Sequence, residues 1–295
     1  MQQTASRLRV VSTIADARAA RSALAAPLGF VPTMGALHAG HEALARRARG
    51  QCASVIASIF VNPLQFGPGE DLERYPRAFD ADLSLLERCG VDLVFAPSIE
   101  DMFGGGLELS VDPGGVARHL EGERRPGHFR GVATVVLKLF NILAPDLAYF
   151  GRKDAQQLAV VRRLVRDFDL PVTIVPCSTV READGLALSS RNAHLDAAQR
   201  AAAPNLHRAL AFIANQCGGR AGESGGRAGS SVDAILRAAR AMLAPLRPDY
   251  LAVVDPATFE PLTSLPESGA LLAVGAAYAG ATRLIDNVDV RGQNP

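Results

Sequence analysis

An α/β fold, built on a doubly wound parallel sheet and followed by a smaller α+β domain, is what this sequence predicts. Three observations carry the expectation. Short apolar runs rich in β-branched residues alternate with segments of helical period through the first 179 residues. Polar and glycine-rich clusters fall directly after those runs. Beyond about Val180 the alternation stops, giving way to long helical segments and then to closely spaced strands.

Taken in order, residues 28–33, 54–61, 92–96, 147–150 and 172–176 read as buried strands, and 13–25, 41–49, 79–89, 132–143 and 155–168 as the helices between them. Such β-α alternation implies a parallel sheet covered by helices on both faces. In folds of this kind the ligand sits beyond the carboxyl ends of the strands, where the polar clusters fall. The chain is therefore divided into a Rossmann-like domain over 1–179 and a smaller α+β lid domain over 180–295. In the latter, 196–216 and 232–243 read as helices, and 251–254, 270–277 and 282–288 as strands, the last two joined in a hairpin across Ala279-Gly280-Ala281. A Gly/Ser-rich insert at 218–231, G-G-R-A-G-E-S-G-G-R-A-G-S-S, reads as a surface loop.

Composition bounds the partners. The chain has 295 residues, 48% hydrophobic and 21% charged, with a formal net charge of +1, so no global field draws it to nucleic acid or to an anionic membrane. An anionic substrate must instead be held by local donors. Cys52, Cys89, Cys177 and Cys217 are dispersed and form no C-x-x-C pair, against both a disulfide framework and a zinc site. The N-terminus lacks the apolar run of a signal peptide. The most apolar stretch, 132–144, contains Lys138 and Asn141 and is too short to span a bilayer. A reduced cytoplasmic protein is expected.

Five clusters carry chemistry. The first, P-T-M-G-A-L-H-A-G-H at 32–41, follows the first core strand. Gly35 permits a tight turn, Gly40 a close backbone approach, and the free N–H groups of the following helix start favour phosphate. His38 and His41, three residues apart, can both donate to a polyphosphate; a metal pair would need a third ligand, and none clusters here. The second, F-V-N-P-L-Q-F at 60–66, offers Asn62 and Gln65 as neutral polar groups between Phe60 and Phe66, a lining that suits a small hydroxy acid with a branched apolar body. An amide-capped turn is the plain alternative. Next come Tyr75-Pro76-Arg77, then Asp80 and Asp82; Asp82 is a candidate magnesium ligand, and both acids also suit the first turn of a helix.

The third cluster, G-H-F-R-G-V at 127–132, preceded by L-E-G-E-R-R-P, is a loop dense in glycine and arginine before a helix, which suits anion binding; its default reading is a solvated turn. The fourth, Y-F-G-R-K-D-A-Q-Q at 149–157, ends a strand in Gly151 and opens a helix with a charged pair. There Lys153 supplies a point charge for phosphate, and Gln157 a neutral amide four residues on. The fifth is V-R-E-A-D-G-L-A-L-S-S-R-N at 180–192, in which Ser189, Ser190 and Arg191 form a flexible anion clamp. Neither G-x-G-x-x-G nor G-x-x-x-x-G-K-[ST] occurs, which weakens a dehydrogenase or P-loop reading.

The first cluster resembles the H-x-G-H signature of the nucleotidyl-transferring α/β superfamily that includes class I aminoacyl-tRNA synthetases, and the fifth resembles their K-M-S-K-S loop in placement. Taken together and in order, the clusters from about Phe30 to Asn192 resemble the pantothenate synthetases. The resemblance implies a cytoplasmic homodimeric ligase that uses ATP with Mg²⁺ to activate pantoate as an acyl-adenylate, which β-alanine then attacks. It implies that His38, His41, Lys153, Ser189, Ser190 and Arg191 contact the phosphates, with His38, His41, Lys153 and Arg191 carrying catalysis. Pro32, Met34, Gly151, Asp154 and Val180 would complete the ATP site. Pantoate would meet Met34, Asn62, Gln65 and Gln157; Asp82 would lie near magnesium, and Tyr75, Glu121 and Arg125 would shape the site. Leu188 departs from the family's usual methionine, a nearly volume-conserving change. Two rivals stay open: another H-x-G-H nucleotidyltransferase acting on a phosphate ester, and a non-catalytic nucleotide-binding protein on the same fold.

Overall fold

The computed structural model describes residues 8–70, 72–218 and 231–292. Most of the insert thus lies outside the described residues. By its internal contacts the chain falls into two compact units. The first comprises the described residues of Met1–Gly114, Arg124–Arg152 and Val160–Ser178; the second those of Gly115–Glu123, Lys153–Ala159 and Thr179–Pro295. Two segments that the linear reading gave to the N-terminal domain, Gly115–Glu123 and Lys153–Ala159, therefore pack with C-terminal residues.

The first unit is a doubly wound parallel sheet. In chain order its elements are β1 (Arg9–Val11), α1 (Ile14–Ser22), β2 (Leu28–Thr33), α2 (Ala39–Gln51), β3 (Ser54–Ile59), α3 (Phe79–Arg88), β4 (Leu93–Phe95), α4 (Ile99–Phe103), α5 (Glu121–Arg124), α6 (His128–Leu143), β5 (Leu147–Gly151), α7 (Ala155–Asp167) and β6 (Thr173–Cys177). The boundary between units crosses α5 and α7. The six strands are ordered β1-β4-β3-β2-β5-β6, all neighbours parallel. The chain runs outward from β2 through β3 to β4, beside the edge strand β1, and restarts at β5 toward the other edge. The order therefore reverses between β2 and β5, and their carboxyl ends form the topological switch point.

Alternation along β2 builds the two cores. Val31 packs with Leu44, Ala45 and Ala48 of α2 and Leu86 of α3. Phe30 meets Phe140 of α6 on the other side, edge-on at 6.3 Å. The apolar stretch at 132–144 belongs to α6, buried along most of its circumference, which is why it reads as hydrophobic all round. Among the described residues no helix is long and apolar enough to cross a membrane.

The second unit contains α8 (Ala197–Ala202), α9 (Pro204–Gly218), α10 (Val232–Ala241), β7 (Arg247–Val254), β8 (Leu271–Ala279) and β9 (Thr282–Arg291), with the antiparallel sheet order β7-β8-β9. Its core joins Leu206, Leu210 and Ile213 of α9 to Ile235 of α10 and to Val253, Leu271 and Ala273 of the sheet. An α/β unit with a smaller α+β unit is thus the observed fold class.

Several bounds differ from the sequence reading, and three of the differences have a plain physical cause. The helix expected over 196–216 is two, because Pro204 has no N–H to continue α8 and instead starts α9. Helix α6 begins at His128 rather than Val132, with Gly127 in the left-handed region (φ 86°) just before it. Strand β1 escaped the pattern because only three residues pair, at the sheet edge, and only Val11 is buried.

Candidate active site

At the carboxyl end of β2 the chain turns sharply. Gly35 (φ 84°) and Ala36 (φ 51°) are both left-handed, a pair that turns successive N–H groups toward one point. That point is occupied by Asp82: Ala36 N donates to its Oδ2 at 2.9 Å and Leu37 N to its Oδ1 at 2.7 Å. Asp82 is 2% exposed, and both of its oxygens already serve the turn. The carboxylate that the sequence offers for magnesium thus also holds the turn that leads to His38 and His41. Among the described residues no three His, Cys, Asp or Glu side chains gather as a metal site.

The turn delivers His38 and His41 to the start of α2 as a reciprocal cap. His38 Nδ1 accepts from Gly40 N at 3.1 Å, and His41 Nδ1 accepts from His38 N at 3.3 Å. The rings tilt together with centroids 4.3 Å apart. Because each Nδ1 accepts a backbone proton, the neutral rings carry theirs on Nε2. Both imidazoles are therefore donors through Nε2 without needing a positive charge.

The F-V-N-P-L-Q-F segment forms a 3-10 turn, Pro63–Gln65, after β3. Asn62, 3% exposed, accepts from Leu64 N at 3.0 Å and donates to Gln65 Oε1 and to Gly131 O, each at 3.1 Å. Both of its amide hydrogens are spent inside the protein, so it orients Gln65. Gln65 Nε2 points at Met34 Sδ, 3.0 Å away. Tyr75 is buried, edge-on to Phe66 with ring centroids 6.0 Å apart.

The third cluster is no solvated turn: it is the first turn of α6, and it clamps the Asn62–Gln65 segment. His128 Nδ1 lies 2.8 Å from Gln65 O, Arg125 Nη2 donates to the same carbonyl at 3.2 Å, and Arg125 Nη1 lies 3.3 Å from His128 Nε2. Since a carbonyl only accepts and a guanidinium only donates, these three contacts fit a neutral His128 protonated at Nδ1. Arg125 is itself anchored by Glu70, at 2.9 and 2.6 Å. Burial pushes the Glu70 carboxyl up, but the Arg125 bonds outweigh that and hold it below the usual carboxylate range.

In the second unit, Lys153 precedes α7. Its ammonium has no partner among the described residues, while its carbonyl accepts from Asn287 Nδ2 at 2.9 Å. Gln157 is half-buried. Its neighbour Gln156, which the sequence reading passed over, is the buried one: it accepts from Glu121 N at 3.1 Å and donates to Val116 O and His119 O at 2.9 and 3.0 Å. Glu121 belongs to a buried ion cluster in which Arg283 donates to both of its oxygens, at 2.8 and 2.7 Å, and to Asp249. The fifth cluster is a tight hairpin: Arg181 bridges Ala187, Leu188 N donates to Val180 O at 3.0 Å, and Ser189 Oγ caps the 3-10 turn Ser190–His194 by accepting from Arg191 N at 3.3 Å. Gly151 ends β5, and Asp154 O receives Leu158 N in the first turn of α7.

A parallel sheet that reverses at β2 and β5, with H-x-G-H at the exit of β2, defines a nucleotide-using α/β protein of the H-x-G-H type. Residues 9–289 match the family described as pantoate-beta-alanine ligase. Pantothenate synthetase of Chloroflexus aurantiacus is 52% identical over 286 residues, 97% of this chain and 99% of that one. That of Thermobifida fusca is 53% identical, covering 88% of each chain. The crystal structure of pantothenate synthetase from Thermus thermophilus aligns with a TM-score of 0.87 at 49% identity, covering 96% of this chain and all of that one. The pantoate-beta-alanine ligase of Francisella tularensis, solved with beta-gamma ATP and β-alanine, aligns at 0.77 and 32% identity, covering 96% and 98%. The chain belongs to the pantoate–β-alanine ligase family.

Proposed function

We propose that the chain condenses pantoate with β-alanine to give pantothenate, in two steps. In the first, a pantoate carboxylate oxygen attacks the α-phosphorus of ATP, forming pantoyl-adenylate and releasing pyrophosphate. In the second, the β-alanine amine attacks the activated carbonyl carbon, loses a proton and expels AMP. Family membership carries the reading, supported by the Francisella tularensis relative solved with beta-gamma ATP and β-alanine. The residue inventory suits it: AMP is already a good leaving group, so amides, imidazoles and cations suffice without a protein nucleophile.

Roles follow residue by residue. His38 and His41 donate through Nε2 to the phosphates, helped by the Lys153 ammonium and by Ser189, Ser190 and Arg191. Pro32, Met34, Gly151, Asp154 and Val180 line the nucleotide. Gln65 and Gln157 bind pantoate beside Met34, and Asn62 acts by orienting Gln65. Tyr75 and Arg125 shape that pocket through Phe66 and the Gln65 carbonyl. ATP brings its own Mg²⁺, which neutralises phosphate charge, and Asp82 holds the turn that leads to His38 and His41. The protein is a cytoplasmic homodimer in this reading. Its four cysteines are buried free thiols, in keeping with a reducing compartment.

Pyrophosphate release from the purified protein with ATP and Mg²⁺ tests the chemistry. Pyrophosphate should appear with pantoate, and AMP turnover should rise when β-alanine is added. Silence with this pair, but release with another acid or a phosphate ester, would remove the substrate assignment.

A further inference from the structure

Two consecutive polar residues of β9, Asp286 and Asn287, are both buried, at 6% and 8% exposure. No role in the reaction falls to either in the reading above. Successive strand residues face opposite sides of a sheet, so each of these side chains must find its partner on a different face.

Asp286 takes Arg181 in a two-pronged pair, Nη1 to Oδ2 at 2.7 Å and Nη2 to Oδ1 at 2.9 Å, and His207 Nδ1 of α9 lies 3.3 Å from Oδ2. The same guanidinium donates to Gly185 O at 3.0 Å and to Asn287 O at 3.2 Å. It thereby pins the Arg181–Ala187 hairpin to β9. The hairpin in turn holds the serine-arginine turn, because Asn192 Nδ2 donates to Ala187 O at 3.1 Å. On the other face, Asn287 Nδ2 donates to Lys153 O at 2.9 Å.

We propose that Asp286 and Asn287 are positioning residues for the adenylation step. Adjacent residues of one strand fix the main chain of Lys153 and the hairpin leading to Ser189, Ser190 and Arg191, so that these phosphate-binding groups are held in a single frame. Lysine is a point charge on a flexible stem, and anchoring its main chain narrows the region its ammonium can reach. The proposal rests on the assignment of Lys153 and the serine-arginine turn to ATP.

A double-mutant cycle on pyrophosphate release tests it, using the full chain with pantoate titrated up to saturation. Asn287→Ala should lower the rate about tenfold, the loss of one buried hydrogen bond, with the KM for pantoate unchanged. In a Lys153→Ala background the same substitution should change the rate less than about twofold, since Asn287 acts through Lys153. Fully additive losses would overturn the proposal, as would a folded Asn287→Ala enzyme of full activity. If Lys153→Ala alone left pyrophosphate release unchanged, the ATP assignment itself would fall, and the inference with it. Should Asn287→Ala not fold by circular dichroism, Asn287→Ser, too short to reach the Lys153 carbonyl, replaces it with the same outcomes.

Discussion

Gly131→Ala sets two effects of opposite sign against each other. Gly131 lies in the first turn of α6, where helix propensity alone would make alanine more stable by about 1 kcal/mol. The packing argues otherwise. A Cβ there would stand 2.2 Å from Leu64 O, 2.3 Å from Leu64 C and 2.6 Å from Gln65 N, all main-chain atoms that cannot rotate away. Restoring a carbon–oxygen contact of about 3.3 Å requires the 3-10 turn or the helix to move about 1 Å. Overpacking of this kind costs about 1–3 kcal/mol, and the Asn62 bond to Gly131 O, at 3.1 Å, would be lost for about 1 kcal/mol more. The net expectation is a loss of about 2 kcal/mol, a fall in Tm of roughly 4–8 °C for a unit of this size. Because Gln65 moves with the turn, kcat/KM for pantoate should fall about 10- to 100-fold, while the KM for ATP changes little. Thermal unfolding by circular dichroism and pantoate-dependent pyrophosphate release read the two effects. A raised Tm with unaltered pantoate dependence would mean that propensity, not the Leu64 contact, controls this position.

Asp82→Asn keeps the shape but places an NH₂ against a backbone N–H, so adenylate formation should fall about 10- to 100-fold while the Mg²⁺ activation midpoint stays in place; a midpoint displaced tenfold would place Asp82 at the metal. His41→Ala should depress pyrophosphate release about 100-fold or more in a protein with an unchanged circular dichroism spectrum, and wild-type release would defeat its role. Gln65→Ala should chiefly raise the KM for pantoate, with ATP dependence close to wild type; the reverse pattern would move Gln65 out of the acid pocket. Burial pushes the Asp286 carboxyl up, but His207 and Arg181 beside it outweigh that and hold it below the ordinary range. Its folded-state pKa thus lies under the unfolded one. The stability it contributes is present above about pH 4 and lost as pH falls through the folded value. Urea midpoints measured downward from about pH 6 should therefore drop less steeply in Asp286→Asn than in wild type, and parallel slopes would contradict this.

The layer architecture was legible in the amino-acid order alone, because strand and helix periods are local properties of that order. The same order also marked the residues at the strand exits, from Pro32 to His41 and from Gly151 to Gln157, since glycine, histidine and lysine at such junctions have few other uses. What it left open are partnerships across the chain. Asp82 reads as an ordinary first-turn acid until Ala36 and Leu37, more than forty residues away, present their N–H groups to it. The G-H-F-R-G segment reads as a loop because glycines normally break helices; only the approach of Leu64 to Gly131 explains why a glycine stands in the first turn of α6. Gln156 and Gln157 are indistinguishable in sequence, and the rotation of α7 alone decides which is buried. Asp286 and Asn287 carry no motif at all. Their partners, Arg181 and Lys153, lie more than one hundred residues away along the chain. Hydrogen bonds of that reach are set by the packing of whole elements, which no local pattern encodes.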